Sequence, residues 1–393
     1  MPIEQSGDWV AICSAATGGQ EDEPDEELNP YNKEGALMVW NEDVHMLSGH
    51  FREWESYGND GSVHIWTHNS DANSYDLEGT WKYQHVPHDL AFKPGGSVLA
   101  VAERHVHLLY LSMSTDRNCR RLNIYSNLSQ GASVSRLSLF GKRSQHSVGA
   151  IIWGRGPTAS NLYASSEPKE DDFTGFHKAF DAIEGKMIFA FDESGSGDTM
   201  DVTEDGRRLA LLTRGKERTH SLRIYDIQDA NPKAVLVVAL EPFASEIEGE
   251  VNSAAFSSDG IYLALGRNDN RTHVYDSRRL DRLLFDYEHY GPCRTNPGGE
   301  SYGVVKVQWV DRSTVTQNGL VTGGHDGCVR FWDPLSAHDS LDNGRILAEM
   351  NSDIGAFCIG DRYKGERPLV VGDCTGEVSI FDTRPAGFHS LYR

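Results

Sequence analysis

The sequence predicts an all-β fold made of repeated four-stranded antiparallel blades. An aromatic residue followed by Asp ends an alternating run of apolar and polar residues five times, at Phe180, Tyr225, Tyr275, Trp332 and Phe381. Each pair is preceded by two further short runs that are separated by Ser, Asp and Gly, which are residues typical of turns. Glycine, at 39 of 393 residues, is abundant enough for many such turns. Four short strands per unit indicate a sheet blade and not a helical repeat.

The spacing of the aromatic residues sets the length of the repeat. Trp66 and Tyr110 end similar runs without the Asp, so successive aromatic positions lie 44 to 70 residues apart. A fixed order of short strands at such a period is the signature of a repeat protein. We predict seven blades, at residues 36–84, 86–126, 147–192, 198–240, 250–287, 303–349 and 354–382.

The two ends of the sequence bear on how the fold closes. The seventh unit ends at Asp382, eleven residues before the last residue, and so lacks an outer strand. The run WVAICSA at residues 9–15 is predicted to supply that strand, which would remove an exposed sheet edge. The alternative is eight blades, with residues 9–47 forming a blade of their own.

The stretch TGGHDGCVRFWDP at residues 322–334 carries a family resemblance. It resembles the WD40 repeat, whose units of about 40 to 45 residues build the blades of a β-propeller. Two stretches match the family's hydrogen-bonded Ser or Thr, Asp and Trp at identical spacing: Thr322, Asp326 and Trp332, and Ser56, Asp60 and Trp66. A buried Asp needs donors, and a strand hydroxyl and an indole N–H supply them. We therefore predict a seven-bladed β-propeller with a structural hydrogen-bond network at these residues.

Three segments lie outside the repeat pattern. Residues 18–35 are acidic and poor in apolar side chains, residues 112–146 carry local positive charge, and residues 290–303 are rich in turn-forming residues. Long loops on a rigid scaffold are where binding residues are usually found. We therefore predict one propeller domain over residues 1–393 with insertions at these three places.

The charge of the chain bears on its partners. Its 58 acidic and 37 basic residues give a formal net charge of -21. Such a charge repels phosphate backbones, so direct binding of nucleic acid is not expected. It favours partner proteins with basic tails, although a high net charge also serves solubility alone.

Cysteine usage and hydropathy indicate a compartment. The six cysteines lie singly, without a C-x-x-C pair, and so predict neither a disulfide framework nor a zinc site. They are typical of reduced thiols in an intracellular protein of the cytoplasm or nucleus. The apolar run at residues 9–16 lacks the basic flank of a signal peptide and is far too short to span a membrane, so no membrane association is expected.

The sequence offers only weak catalytic motifs. Residues 299–303 satisfy G-x-S-x-G, but a nucleophile elbow needs a strand before it and a helix after it, and here a Pro-Gly-Gly loop precedes and a strand follows. His105 and His107 would share one strand face, yet no Cys or carboxylate lies at ligand spacing beside them. We expect no enzyme activity, no metal and no cofactor.

The resemblance implies a non-catalytic scaffold that binds other proteins through the loops of a propeller. We expect a monomer within a larger complex. Candidate contacts lie on loops between second and third strands and in the 290–303 segment: Arg104, Arg267, Asn268, Glu300, Tyr302 and His325. An aromatic residue flanked by polar loop residues has the composition of an interaction hot spot.

The alternative function is a substrate receptor of a cullin-RING ubiquitin ligase. Residues 275–278 and 381–384 read Tyr-Asp-Ser-Arg and Phe-Asp-Thr-Arg. They resemble the W-D-x-R motif with which some WD40 proteins dock on a cullin-ligase adaptor. The resemblance implies docking by Arg278 and Arg384, whose guanidinium groups would form bidentate, charge-assisted hydrogen bonds.

Overall fold

The computed structural model describes nineteen ranges of the chain. They are residues 3–6, 9–13, 37–41, 43–47, 62–69, 74–82, 87–95, 98–103, 121–126, 133–138, 148–166, 173–215, 219–243, 249–294, 302–312, 317–336, 343–360, 369–374 and 377–381. The predicted insertion at residues 18–35 lies outside these ranges. Strands dominate throughout, and a short 3-10 turn spans Gly156–Thr158.

Three four-stranded blades come from the first part of the chain. Blade 1 is formed by β1 (Ile3–Ser6), β2 (Trp9–Cys13), β5 (Ser62–Asn69) and β6 (Ser74–Lys82), while β3 (Leu37–Asn41) and β4 (Asp43–Leu47) pair with each other. Blade 2 is formed by β7 (Pro87–Phe92), β8 (Leu99–Glu103), β9 (Arg121–Ser126) and β10 (Ser133–Ser138). Blade 3 is formed by β11 (Val148–Trp153), β12 (Asn161–Ser166), β13 (His177–Asp181) and β14 (Lys186–Ala190). Strands β9 and β10 lie within the 112–146 segment.

Three more blades follow, and then a smaller sheet. Blade 4 is formed by β15 (Ser196–Val202), β16 (Arg208–Arg214), β17 (His220–Asp226) and β18 (Ala234–Ala239). Blade 5 is formed by β19 (Val251–Phe256), β20 (Tyr262–Arg267), β21 (Arg271–Asp276) and β22 (Arg279–Glu288). Blade 6 is formed by β23 (Lys306–Arg312), β24 (Gln317–Gly323), β25 (Cys328–Trp332) and β26 (Arg345–Glu349). The last sheet has three strands, β27 (Ile354–Cys358), β28 (Leu369–Asp373) and β29 (Val378–Phe381).

The all-β propeller class with four-stranded antiparallel blades is confirmed, but the predicted count of seven blades is wrong. The described residues form six four-stranded blades, and the sheet at residues 354–381 has three strands. The run near the amino terminus does not complete that sheet, because Trp9–Cys13 pairs with β5 inside blade 1. The alternative of eight blades is also wrong, because residues 9–47 are divided between blade 1 and the β3–β4 hairpin.

Where both residues of an aromatic-Asp pair are described, the pair lies at the end of the third strand of its sheet, and the Asp starts the turn that follows. Asp181 accepts the backbone N–H of Ile183 at 2.8 Å, and Asp276 accepts that of Arg278 at 3.0 Å. Asp333 accepts the N–H of the residue two positions on in the same way, at 3.0 Å. A carboxylate that bonds the backbone two residues ahead fixes a tight turn without help from the rest of the fold. The pairs therefore mark strand ends.

Central strands are buried on both faces. In β16, Leu209 and Leu211 join one hydrophobic cluster, whereas Ala210 and Leu212 join another. Successive side chains of a strand point to opposite faces, so a strand packed on both faces has a continuous apolar sequence. The run RLALL in blade 4 has this pattern.

The chain divides into two compact units. One contains Met1–Lys82, Asn270–Thr272 and Phe285–Arg393, and the other contains Tyr83–Asp269 and His273–Leu284. In the first unit, the Gln5 side-chain amide donates to the Cys358 carbonyl at 3.4 Å, so the first blade contacts the three-stranded sheet. Among the described residues, no helix has the length and apolar character that crossing a membrane requires.

Candidate functional site

A chain of hydrogen bonds connects the residue that follows β22 to blade 6. His289 is buried, with Nδ1 2.9 Å from Asp326 Oδ1 and Nε2 2.8 Å from Thr322 Oγ1. The indole nitrogen of Trp332 donates to the same Thr322 oxygen at 2.7 Å. The structure thus brings Thr322, Asp326 and Trp332 together through a histidine that the sequence analysis did not assign to the network.

The direction of each hydrogen bond follows from its donors. An indole N–H only donates, so Thr322 accepts from Trp332 and its own hydroxyl proton is available for His289 Nε2. The Nδ1–H of His289 then donates to Asp326, which makes the imidazole neutral. Burial lowers the pKa of His289, in keeping with that neutral form, and the hydrogen bond that His289 donates to Asp326 opposes the shift only in part.

Asp326 is an ionised carboxylate with four donors. Besides His289, Arg330 donates to its Oδ2 through Nε at 2.9 Å and through a terminal nitrogen at 2.7 Å. The backbone N–H of Cys328 donates to Oδ1 at 3.1 Å. Burial acts to raise the pKa of Asp326, but the hydrogen bonds from His289 and Arg330 and the positive charge of Arg330 outweigh it and hold the pKa below its usual range. The turn between β24 and β25 is therefore rigid.

The start of the 290–303 segment is fixed to blade 6. The backbone N–H of Arg294 donates to the buried carboxylate of Asp353 at 2.9 Å and also lies 3.1 Å from the His325 carbonyl. Its guanidinium donates to the Met350 carbonyl at 2.5 Å and pairs with Glu349. This part of the segment is consequently held on a scaffold by side chain and backbone alike.

The described residues at the two ends of this segment present aromatic surface. Tyr290 is 75% exposed, and Tyr302, near the other end of the segment, is 39% exposed. Beside Tyr290 lies a shallow cleft of about 170 Å³, lined by Tyr287, Glu288, Tyr290, Arg330, Trp332, Asn343 and Gly344. The rings of Tyr287 and Trp332 stack with centroids 4.7 Å apart beneath it. An exposed ring beside a cleft that is lined by packed aromatic rings suits contact with another protein.

Arg267, a predicted contact residue, is buried. Its guanidinium donates to the carbonyls of Glu241 and Pro242, each at 3.0 Å, and forms two bonds with Asp269 at 3.0 and 2.5 Å. The ring of Phe243 lies 3.9 Å from the guanidinium carbon. With its donors directed inward, Arg267 holds loops together.

Two other predicted residues also form hydrogen bonds that hold loops in place. Asn268 exchanges hydrogen bonds with the backbone of Glu250, its amide oxygen accepting at 3.0 Å and its own N–H donating at 3.1 Å. His325 is 8% exposed and its Nε2 lies 3.3 Å from the His289 carbonyl. Of the predicted contact residues, Tyr302 is therefore exposed, whereas Arg267 and His325 are buried.

Arg278 lies on the surface just after β21. Its side chain is 65% exposed. The guanidinium donates to the Asp276 carboxylate through Nε at 2.8 Å and through a terminal nitrogen at 2.7 Å. These bonds, together with the backbone N–H of Arg278, lower the pKa of Asp276 to about 2. The guanidinium is thus exposed and held in one orientation.

Several predicted residues lie outside the part of the chain that is described. They are Arg104, Glu300, Arg384, Ser56 and Asp60. Trp66 lies in β5, opposite Val10 of β2. Within the described ranges, no group of three or more His, Cys, Asp or Glu side chains is arranged to hold a metal ion.

Sequence reasoning missed His289 and Tyr290, and one signal could have found the histidine. Any Cβ at Gly324 would collide with the imidazole of His289, and one at Gly323 would collide with Ile354 and Phe357, so large buried side chains fill the space beside both glycines. A glycine pair before the His-Asp-Gly turn thus indicates a large buried neighbour. Tyr290 is the residue after His289, and no feature of the sequence indicates its role.

The chain was compared with known proteins. The family model "WD domain, G-beta repeat" matches residues 292–333. Rik1-associated factor 1 of Schizosaccharomyces pombe is 32% identical over 138 residues, which are 34% of this chain and 20% of that protein. Echinoderm microtubule-associated protein-like 2 of Mus musculus is 31% identical over 91 residues, which are 22% of this chain and 12% of that protein. The matches thus span a fifth or less of these relatives.

A solved structure described as the Dos1 propeller resembles the fold. It superposes with a TM-score of 0.58 at 20% sequence identity, over 81% of this chain and 72% of that one. At this identity the likeness concerns the fold alone.

Proposed function

We propose that this chain is a WD40-repeat β-propeller protein and that it acts as a non-catalytic scaffold that binds partner proteins. The observation that carries the proposal is Tyr290, a 75% exposed ring next to a backbone that Arg294 fixes to blade 6. A side chain on a backbone that is already held in place leaves less conformational entropy to be lost on binding. We place the contact surface on residues 290–303 and the neighbouring part of blade 6.

We propose further contacts at other predicted residues. Tyr302 is exposed near the far end of the same segment, and we assign Glu300 beside it and Arg104 to further contacts. Arg267, Asn268 and His325 we assign to positioning the loops, since their hydrogen bonds are directed to the protein itself.

The formal charge of -21 supports partners with basic tails and disfavours nucleic acid. Rik1-associated factor 1 is named for an association with Rik1, so a Rik1-like protein is among the partners that we propose. We further propose that residues 1–393 act as one propeller domain in the cytoplasm or nucleus.

The second candidate function is a substrate receptor of a cullin-RING ubiquitin ligase. The observation that favours it is the exposed guanidinium of Arg278, which Asp276 holds in one orientation. A preorganised guanidinium at the surface suits bidentate recognition by an adaptor. In this role Arg384 would act as a second docking residue.

One experiment tests both candidates. The tagged chain is purified from its native cells and its partners are identified by mass spectrometry, for the wild type and four variants. Tyr290→Ala with Tyr302→Ala removes the aromatic surface, and Leu335→Ala, 62% exposed on the turn after β25, is its control. Arg278→Ala with Arg384→Ala removes the docking residues, and the exposed neighbour Arg279→Ala is the matched control.

Each candidate predicts a different loss. The scaffold proposal expects the tyrosine variant to lose at least one partner that the Leu335 variant retains. The ligase candidate expects a cullin adaptor among the wild-type partners and its loss only in the Arg278 and Arg384 variant. A partner list that is the same for all five proteins would overturn both assignments.

A further inference from the structure

Strand β18 leaves an apolar sheet edge open. It is the last strand of blade 4, and in the described part of the chain no strand pairs with its second side. Val235, Leu236 and Val237 are 59%, 40% and 49% exposed. A strand edge with free backbone groups and apolar side chains is a template for pairing with another strand.

Outer strands elsewhere in the molecule carry charges that hinder such pairing. Strand β22 contains Arg279, Asp281 and Arg282, and β26 begins with Arg345 and ends with Glu349. The six residues of β18, AVLVVA, include no charged residue. Charged side chains on an edge strand are a common protection against association, and β18 lacks it.

The sequence around β18 suits antiparallel pairing with a second copy of itself, because opposite charges lie at equal distances from its centre. Residues 232–242 read PKAVLVVALEP, with Val237 at the centre. Lys233 and Glu241 lie at equal distances on either side of this centre, and both are exposed. Two copies placed antiparallel about Val237 would set Lys233 of each against Glu241 of the other. Opposite charges that face each other across strands favour pairing, and every residue between them is apolar.

The backbone of β18 suits the same pairing. The N–H of Leu240 donates to the His220 carbonyl at 2.9 Å, and Val238 lies opposite Leu222. Because hydrogen-bonding residues alternate along an antiparallel strand, the N–H and C=O of Val237 point away from β17 toward the open edge. Two Val237 residues that face each other would therefore exchange both hydrogen bonds. The register shift between β17 and β18 lies at Val235, between this centre and Lys233, whereas residues 236–239 keep a regular register with β17.

We propose that the chain forms a two-fold dimer through antiparallel pairing of β18 with β18 of a second copy. The two copies of blade 4 then make one continuous sheet, and the interface is the same surface on both copies. This proposal does not depend on the scaffold function, and it differs from the monomer expected from the sequence.

The test is the molar mass of the full chain, measured by size-exclusion chromatography with light scattering. An interface of one strand is smaller than the roughly 1,200 Å² of a stable complex, so the concentration should be varied from about 1 to 200 μM. The wild type should rise from 43.6 kDa toward twice that mass. Val237→Lys sets two like charges on the two-fold axis and should remain at 43.6 kDa. Ile183→Lys, 76% exposed before β14, makes the same charge change elsewhere and should still dimerise.

A charge exchange tests the orientation of the pairing. Lys233→Glu sets Glu against Glu, and Glu241→Lys sets Lys against Lys, so each should weaken dimerisation about tenfold. The double variant restores opposite charges and should recover the wild-type dissociation constant. Damage to folding would not be repaired by the second substitution.

Three results would overturn the proposal. They are a wild-type mass of 43.6 kDa at every concentration, a Val237→Lys variant that dimerises like the wild type, and a charge exchange without recovery. Circular dichroism shows whether Val237→Lys is folded. If it is not, the charge exchange alone decides.

Discussion

The hydroxyl group of Thr322 should contribute strongly to the stability of this protein. Its Oγ1 lies within hydrogen-bonding distance of both Trp332 Nε1 and His289 Nε2. Valine keeps the shape of the side chain but leaves these two buried nitrogens without their partner. We expect Thr322→Val to lower the free energy of unfolding by about 2 to 4 kcal/mol, measured by urea denaturation.

Thr219 is exposed and provides the matched control. Thr219→Val should change the free energy of unfolding by less than about 0.5 kcal/mol. Equal effects of the two substitutions would contradict the role given to the Thr322 hydroxyl.

At the scale of elements, a Gly→Ala substitution should have different costs in two turns. Gly327 and Gly260 both have φ of +67°. A Cβ at Gly260 would meet nothing within 4 Å, whereas at Gly327 it would lie 2.8 Å from the Ser352 carbonyl oxygen and 2.9 Å from that of Met350. Gly260→Ala should therefore cost only the left-handed strain, about 1 to 2 kcal/mol. Gly327→Ala must also displace the chain at residues 350–352, and its cost in urea denaturation should be clearly larger; an equal cost would refute this account.

Elements that local chemistry determines could be predicted from the sequence. The aromatic-Asp pairs mark the ends of third strands because the Asp bonds the turn two residues ahead, as at Asp181 and Asp276. The blade count was wrong because pairing is not local. Residues 9–13 have the sequence of a strand whether they pair with β5 or with the last sheet, and nothing in the sequence distinguishes the two.

The same limit applies to the site. The spacing of Thr322, Asp326 and Trp332 lies within one blade and could be read from the sequence, whereas His289 lies 37 residues before Asp326, beyond an inserted segment. Arg267 has the sequence context of a loop residue, but carbonyls from residues 241 and 242 surround its guanidinium. Burial of that kind depends on contacts with residues that are distant in the sequence, and a local sequence pattern does not show such contacts.

At the scale of the whole molecule, stability should depend on pH through buried histidines. Burial lowers the pKa of His177 to about 4, below the unfolded value of about 6.5. Acid therefore favours the unfolded chain: the stabilisation is complete above pH 6.5 and is lost as the pH falls toward 4, by about 3 kcal/mol. The lowered pKa of His289 acts in the same direction.

Urea denaturation between pH 7.5 and 4.5 measures this dependence. His177→Gln should be less stable than the wild type at pH 7.5 and should lose less stability on acidification. A variant with the same pH dependence as the wild type would show that His177 is not responsible.

The unit formed by Met1–Lys82 and Phe285–Arg393 draws its two main parts from distant stretches of the chain. During synthesis, residues 1–82 leave the ribosome long before residues 285–393 exist, so the contact between Gln5 and Cys358 must wait until most of the chain has been made. The second unit is nearly contiguous and can fold as it emerges. In that interval the strands of blade 1 lack their later neighbours, and keeping them from other nascent chains becomes a task for chaperones.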